Sequence, residues 1–383
     1  MIKRALAVQI RKSINSKKSV LLLGPRQVGK STLVKDLSPD CEFNLSQESL
    51  FLEFIKDPSY LEGILKAQFP KGGVVFIDEV QRIPSLLNTI QYLIDKKIGY
   101  QFILTGSSAR KLKRGKANLL PGRIHSFELG PLISNELESD LDTTEALQFG
   151  LLPGVFTEKT DREKKLLLNS YAMTYLNEEI KQEALTKNIE GFTRFLFRLT
   201  TNATHFLDLS KISSEVAVPR QTAQRYFEIL EDTLIVKRLE AFAKSDKRRL
   251  IQHPKFFIFD NGVLNSLLRN YTASNDRKGM LFENLFVTQL MLTLSYSEHD
   301  YRLSSYRTDA GAEVDLILEI NNKVHAIEIK SGHFQKSDLG GFNSFEKFYG
   351  GTVRKSVVTL SSAHRYIDDI EVNNWKDFLK IFD

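Results

Sequence analysis

The stretch Leu21 to Thr32, reading LLLGPRQVGKST, leaves this chain few folds to choose from. Three leucines run into a loop bounded by Gly24 and Gly29, followed by Lys30, Ser31 and Thr32. Every fixed position of the pattern G-x-x-x-x-G-K-[ST] is met. The apolar run reads as a buried strand and the residues after the loop read as a helix. Between them, Gly24, Pro25, Arg26, Gln27, Val28, Gly29, Lys30, Ser31 and Thr32 make a phosphate cradle. Its backbone N–H groups point inward, and the helix N-terminus adds its positive end. In such a cradle Lys30 reaches the β- and γ-phosphates and the Ser31 hydroxyl ligates Mg²⁺, so ATP with Mg is the expected ligand.

Two further apolar runs end in polar groups. Val74 to Ile77 suits a central parallel strand and ends in Asp78 and Glu79. Placed next to the P-loop strand, Asp78 supports the Mg²⁺, and Glu79 polarises the water that attacks the γ-phosphate. Phe102 to Leu104 ends in Thr105, Gly106, Ser107 and Ser108. A hydroxyl there, Ser107 or Thr105, either senses the γ-phosphate or caps a turn. Arg123 precedes the strand Ile124 to Leu129 and is a candidate arginine finger, in cis or in trans. Residues 47–68 and 86–96 have helical spacing. Strands alternating with helices, with the P-loop on the first strand, predict an α/β fold: a three-layer, doubly wound parallel sheet.

A chain of 383 residues exceeds what one hydrophobic core supports. The organisation expected is an ATPase domain over 1–150, a helical region over 151–245 and a third domain over 246–383. In the middle region, Leu209, Ile212 and Val216 share a helical face, a turn passes through Val218 and Pro219, and a second helix runs from about Arg220 to Asp232. The β-prone run Leu234 to Leu239 follows. This is the layout of a winged helix-turn-helix, with Arg220, Gln221, Gln224 and Arg225 facing outward. Basic residues also cluster at Arg110, Lys111, Lys113, Arg114 and Lys116, and at Lys244, Lys247, Arg248, Arg249 and Lys255. Together with a net charge of +6 they make DNA a candidate partner. The single cysteine, Cys41, rules out an intramolecular disulfide and fits a reducing compartment. No apolar stretch approaches the ~20 residues of a membrane span. A cytoplasmic protein with no membrane segment is expected.

In the last region, three strand-like runs cover Tyr301 to Arg307, Glu313 to Ile320 and Lys323 to Ile329, with Asn321 and Asn322 as a tight turn. Asp315 lies on the second run. Glu328 and Lys330, two apart, share a face at the end of the third.

The strings GPRQVGKST, VVFIDEVQRIP, FILTGSS, LPGRIHSFELGPLISNEL and GLLPGVF resemble the AAA+ type of P-loop ATPase. The closer resemblance is to prokaryotic ATPases that join such a domain to a C-terminal domain of unknown function, the DUF4143 type. That resemblance implies ATP hydrolysis and, because sites of this type are commonly completed by a neighbour, a homo-oligomer. The C-terminal pattern D-x₁₂-E-x-K, with a helical Glu283, resembles the PD-(D/E)xK nuclease constellation. By that resemblance Asp315 and Glu328 would hold a second metal, with Glu283 and Lys330 beside it. No proline precedes Asp315, which departs from the pattern. The leading expectation is Mg-dependent ATP hydrolysis coupled to action on DNA. The alternatives are a nucleotide-dependent switch with little turnover and an ATP-gated metal-dependent nuclease.

Overall fold

The computed structural model describes residues 2–107, 122–137, 140–175, 188–242, 253–332, 339–362 and 364–382. Both basic clusters apart from Lys255, and also Ser108, lie outside these residues. The chain divides into two units. One is Met1–Leu132 with Asp232–Ile235; the other is Ile133–Glu231 with Val236–Asp383.

The first unit begins with α1 (Ala7–Asn15), β1 (Ser19–Leu23), α2 (Lys30–Asp36) and β2 (Cys41–Asn44). Next come α3 (Glu48–Lys56), α4 (Tyr60–Gln68), β3 (Gly73–Asp78), α5 (Leu86–Asp95), β4 (Tyr100–Gly106) and β5 (Ile124–Glu128). The helical spacing of residues 47–68 resolves into two helices because Pro58, which donates no N–H, interrupts it. The five strands are all parallel, in the order β2-β3-β4-β1-β5. Val75, Ile77, Phe102 and Leu104 are buried against Leu86, Leu87, Ile90 and Leu93 of α5, which explains why these strands read as continuous apolar runs.

The order corrects one expectation. The strand bearing Asp78 is not next to the P-loop strand, because β4 lies between them. Strand order is set by long-range packing, and hydrophobic spacing along the chain carries no record of it. All three strands still end at the same carboxyl edge.

In the second unit, helices Ile189–Thr201, Leu209–Glu215 and Arg220–Asp232 precede the antiparallel pair β6 (Val236–Leu239) and β7 (Lys255–Ile258). Phe206, between the first two helices, forms an antiparallel bridge with Lys255. Pro153–Phe156 forms a short helix with proline in its first turn, where no N–H is required.

A six-stranded mixed sheet completes the unit. Its strands are β8 (Tyr301–Arg307), β9 (Glu313–Ile320), β10 (Lys323–Lys330), β11 (Val353–Thr359), β12 (Arg365–Ile367) and β13 (Ile370–Asn374), in the order β12-β13-β11-β10-β9-β8. β9 and β10 are joined through Asn321 and Asn322, whose φ of 49° and 62° make the left-handed two-residue turn that asparagine tolerates. Tyr306, Val314, Ile317, Phe342, Phe345 and Val357 form the core on one face of the sheet. Among the described residues, no helix is long and apolar enough to cross a membrane.

Candidate functional site

The P-loop turns where β1 ends. Gly24 donates its N–H to Gly106 O at 3.2 Å, and any Cβ at position 24 would sit 2.2 Å from Leu129 O. Only glycine fits so close to that carbonyl. Gln27 and Gly29 take left-handed φ values of 62° and 91°, which fold the loop back toward α2. Lys30 is buried and donates from Nζ to Gly24 O and Pro25 O, both at 2.8 Å. Its ammonium therefore lies across the loop. Arg4, which the motif reading did not single out, also holds the loop. Its guanidinium donates to Val28 O at 2.6 Å, Gly130 O at 2.8 Å and Pro131 O at 3.0 Å. No local signal marks it, since its partners are more than twenty residues away.

Asp78 is where the motifs meet. Its Oδ2 accepts from Ser31 Oγ at 2.8 Å, and its Oδ1 accepts from Thr105 Oγ1. Asp78 is thus tied to the P-loop helix through Ser31 and to the intervening strand β4 through Thr105, whose hydroxyl is spent on orienting the aspartate. Glu79 follows with φ 62°, its N–H donating to Thr105 Oγ1 at 3.3 Å. The turn projects the Glu79 carboxylate toward Gln81, whose amide Nε2 donates to it and to Ser107 Oγ at 3.1 Å. Ser107 is fully buried and engaged by Gln81. A hydroxyl and a carboxylate held face to face are hard oxygen donors suited to Mg²⁺, so Ser31 and Asp78 fit that ion.

Arg123 is not part of this arrangement. β5 begins at Ile124, which pairs with Ser19 at the start of β1, whereas the P-loop leaves from the other end. Five strand residues, about 16 Å, separate the two edges. The guanidinium is paired with Asp95, Nε to Oδ1 at 2.7 Å and the second nitrogen to Oδ2 at 3.1 Å. An arginine finger from Arg123 to the nucleotide of its own chain is thereby ruled out.

In the second unit, the C-terminal acids do converge, but around a residue that the nuclease pattern does not contain. Lys255 opens β7 and is only 3% exposed. Its Nζ lies 3.1 Å from Glu283 Oε1, 2.8 Å from Glu313 Oε1 and 3.3 Å from Asp315 Oδ1. Asp315 Oδ2 accepts from Ile329 N at 2.9 Å, and Glu328 pairs with Lys330 at 3.0 Å. Burial works against the Lys255 charge, but Glu283, Asp315 and Glu313 outweigh it and hold the amine above its usual range. Burial pushes Glu283 up to about 7 despite Lys255, and burial together with Asp315 pushes Glu328 up to about 8. Among the described residues, no group of three or more His, Cys, Asp and Glu is arranged to hold a metal. Of the residues expected to form a second metal site, Glu283 and Asp315 face the Lys255 ammonium and Glu328 pairs with Lys330.

On the helix Arg220–Asp232, Arg220, Gln221 and Arg225 are exposed and Gln224 is half-buried, while Ala223, Tyr226, Phe227 and Leu230 face the core.

Residues 16–138 match the AAA domain family, residues 140–274 match a domain of unknown function (DUF8612), and residues 278–378 match another (DUF4143). An uncharacterized protein of Mycobacterium tuberculosis is 28% identical over 337 residues, covering 86% of this chain and 74% of its own length. An uncharacterized protein of Haemophilus influenzae is 21% identical over 372 residues, covering 84% and 91%. Among solved structures, C. elegans PCH-2 aligns over 60% of this chain and 66% of its own, at 16% identity and a TM-score of 0.28. The replication initiator DnaA bound to AMPPCP and single-stranded DNA aligns over 59% and 86%, at 12% identity and a TM-score of 0.28. Scores this low carry no inference about this chain.

Proposed function

We propose that this chain, with its N-terminal AAA domain and its C-terminal DUF4143 domain, is an ATPase that binds Mg–ATP at Gly24 to Thr32 and hydrolyses it. The observation that carries the reading is the junction of Ser31, Asp78 and Thr105 at the carboxyl edge of the parallel sheet, with Glu79 adjoining. Backbone N–H groups of the loop receive the phosphates, and Lys30 exchanges its two loop carbonyls for phosphate oxygens. Ser31 and Asp78 would hold Mg²⁺, which offsets charge on the phosphates. Glu79, positioned by Gln81, accepts a proton from the attacking water. Since Arg123 lies on the opposite edge, the arginine that completes the site is proposed to come from a neighbouring copy.

DNA is the proposed partner. Helix, single-residue bridge, two helices and a two-stranded pair follow the winged-helix order. The outward Arg220, Gln221 and Arg225 suit phosphate and base-edge contacts. A second reading, a nucleotide switch with little turnover, is favoured by the engagement of both Lys30 and Glu79 by their own chain.

The test is steady-state ATP hydrolysis with Mg²⁺, alone and with single-stranded, double-stranded or branched DNA. Turnover stimulated by DNA and abolished in a folded Lys30→Ala variant supports the ATPase. Tight nucleotide binding with negligible turnover under every condition supports the switch. Turnover that survives Lys30→Ala would remove the P-loop from the account.

A further inference from the structure

The acid cluster of the second unit is built like a cation site, and the chain supplies the cation. Lys255 opens a strand whose four residues are all buried, followed by Phe256 and Phe257. A lysine in such a place costs its hydration, and proteins tolerate that only when the charge is fully paired. Its three ammonium donors meet three carboxylates on two chain segments: Glu283 on the helix Asn275–Tyr296, and Glu313 and Asp315 on β9. The Phe206 ring lies 5.3 Å from the ammonium, and the Arg307 guanidinium stands 5.0 Å from the same ring. Arg307 also pairs with Glu313, at 3.4 Å.

These observations disagree with the metal that a D…E-x-K pattern implies. A divalent ion needs oxygen ligands at roughly 2.0–2.6 Å and open positions for water. Here Nζ already occupies the point on which Glu283, Glu313 and Asp315 converge. Each acid already has a cation partner: Lys255 faces Glu283, Glu313 and Asp315, Arg307 also faces Glu313, and Lys330 faces Glu328, so four acids share three cations. Adding a doubly charged ion next to a buried ammonium would set like charges against each other at contact distance in a low dielectric.

We propose that Lys255 is an internal replacement for the metal, so that the C-terminal domain keeps the nuclease-like arrangement of acids without binding a divalent ion or cutting nucleic acid. The lysine also fastens the β6–β7 pair to the helix and sheet that carry the acids. This assignment is independent of the ATPase reading, because no residue of the P-loop unit enters it.

The test is a Mn²⁺ titration of nucleotide-free full-length protein, read by calorimetry and by the thermal unfolding midpoint. It is run on wild type, Asp315→Asn, Lys255→Met and the Lys255→Met/Asp315→Asn pair. Wild type is expected to show no Mn²⁺ response that Asp315→Asn removes, and no cleavage of DNA or RNA with Mg²⁺ or Mn²⁺. In Lys255→Met the vacated position exposes paired carboxylates. Mn²⁺ is then expected to raise its unfolding midpoint by several degrees, and the second substitution should abolish that rise. Stoichiometric Mn²⁺ binding by wild type that is lost in Asp315→Asn would overturn the proposal, as would Asp315-dependent cleavage. The comparison of wild type with Asp315→Asn decides the matter even if Lys255→Met does not fold.

Discussion

Ser31 Oγ lies 2.8 Å from Asp78 Oδ2, although the strands that lead to these residues are not neighbours. The gap is bridged by β4, whose Thr105 donates to the other oxygen of the same carboxylate. Each oxygen of Asp78 is thus held by one donor, one from the P-loop helix and one from the sheet. A carboxylate held this way has its orientation set before any ligand arrives, which is what stabilisation of charge on a transferring phosphate requires.

Thr105→Val tests this preorganisation. The change keeps the shape at a fully buried position and removes the hydroxyl. A hydrogen bond to a charged group contributes about 1.5–3 kcal/mol, so turnover should fall roughly tenfold or more. Nucleotide affinity, measured by fluorescence titration, should change little because the loop N–H groups are untouched. Turnover equal to wild type would show that Thr105 does not orient Asp78.

Gly24→Ala tests the loop. The added methyl would meet Leu129 O at 2.2 Å, so either the loop or the segment after β5 must move. Overpacking of this kind costs about 1–3 kcal/mol. We expect a lower unfolding midpoint together with loss of ATP binding, followed by calorimetry. A variant that binds ATP with wild-type affinity would mean that the loop has room the structure does not show.

His325 makes stability depend on pH. It is 6% exposed on β10, next to Arg354 on β11. Burial, then Arg354 and Lys323, push its pKa down to about 4, with Glu371 pulling weakly the other way. The folded state therefore binds fewer protons than the unfolded state between about pH 4 and the ordinary value near 6.5. The contribution is complete above that ordinary value and is lost as pH falls toward 4. Urea unfolding of wild type and His325→Gln should show wild type losing about 2–3 kcal/mol relative to the variant across that interval. Parallel pH curves would contradict the assignment.

Much of this was legible in the sequence because it is local. The P-loop glycines, the apolar run into Asp78 and Glu79 and the Asn321–Asn322 turn each declare themselves within a dozen residues. What was not legible joins distant positions. The insertion of β4 between β1 and β3 is a property of sheet order, and the Arg4 contacts to Val28, Gly130 and Pro131 span the unit. Lys255 read as one more basic residue beside Arg248 and Arg249. Only the fold shows it buried against acids 28 to 60 positions away. The distance of Arg123 from the P-loop of its own chain was hidden for the same reason, since it follows from the pairing of β5 with β1.

The central claim is that the P-loop unit hydrolyses ATP with Glu79 as the base, and one measurement tests it most directly. Steady-state ATP hydrolysis is compared between wild type and Glu79→Gln, with nucleotide affinity determined on the same preparations. Glu79→Gln should bind ATP within a few-fold of wild type and turn it over about 10²–10⁴ times more slowly, the usual effect of removing a positioned base. Equal turnover in the two proteins would contradict the account.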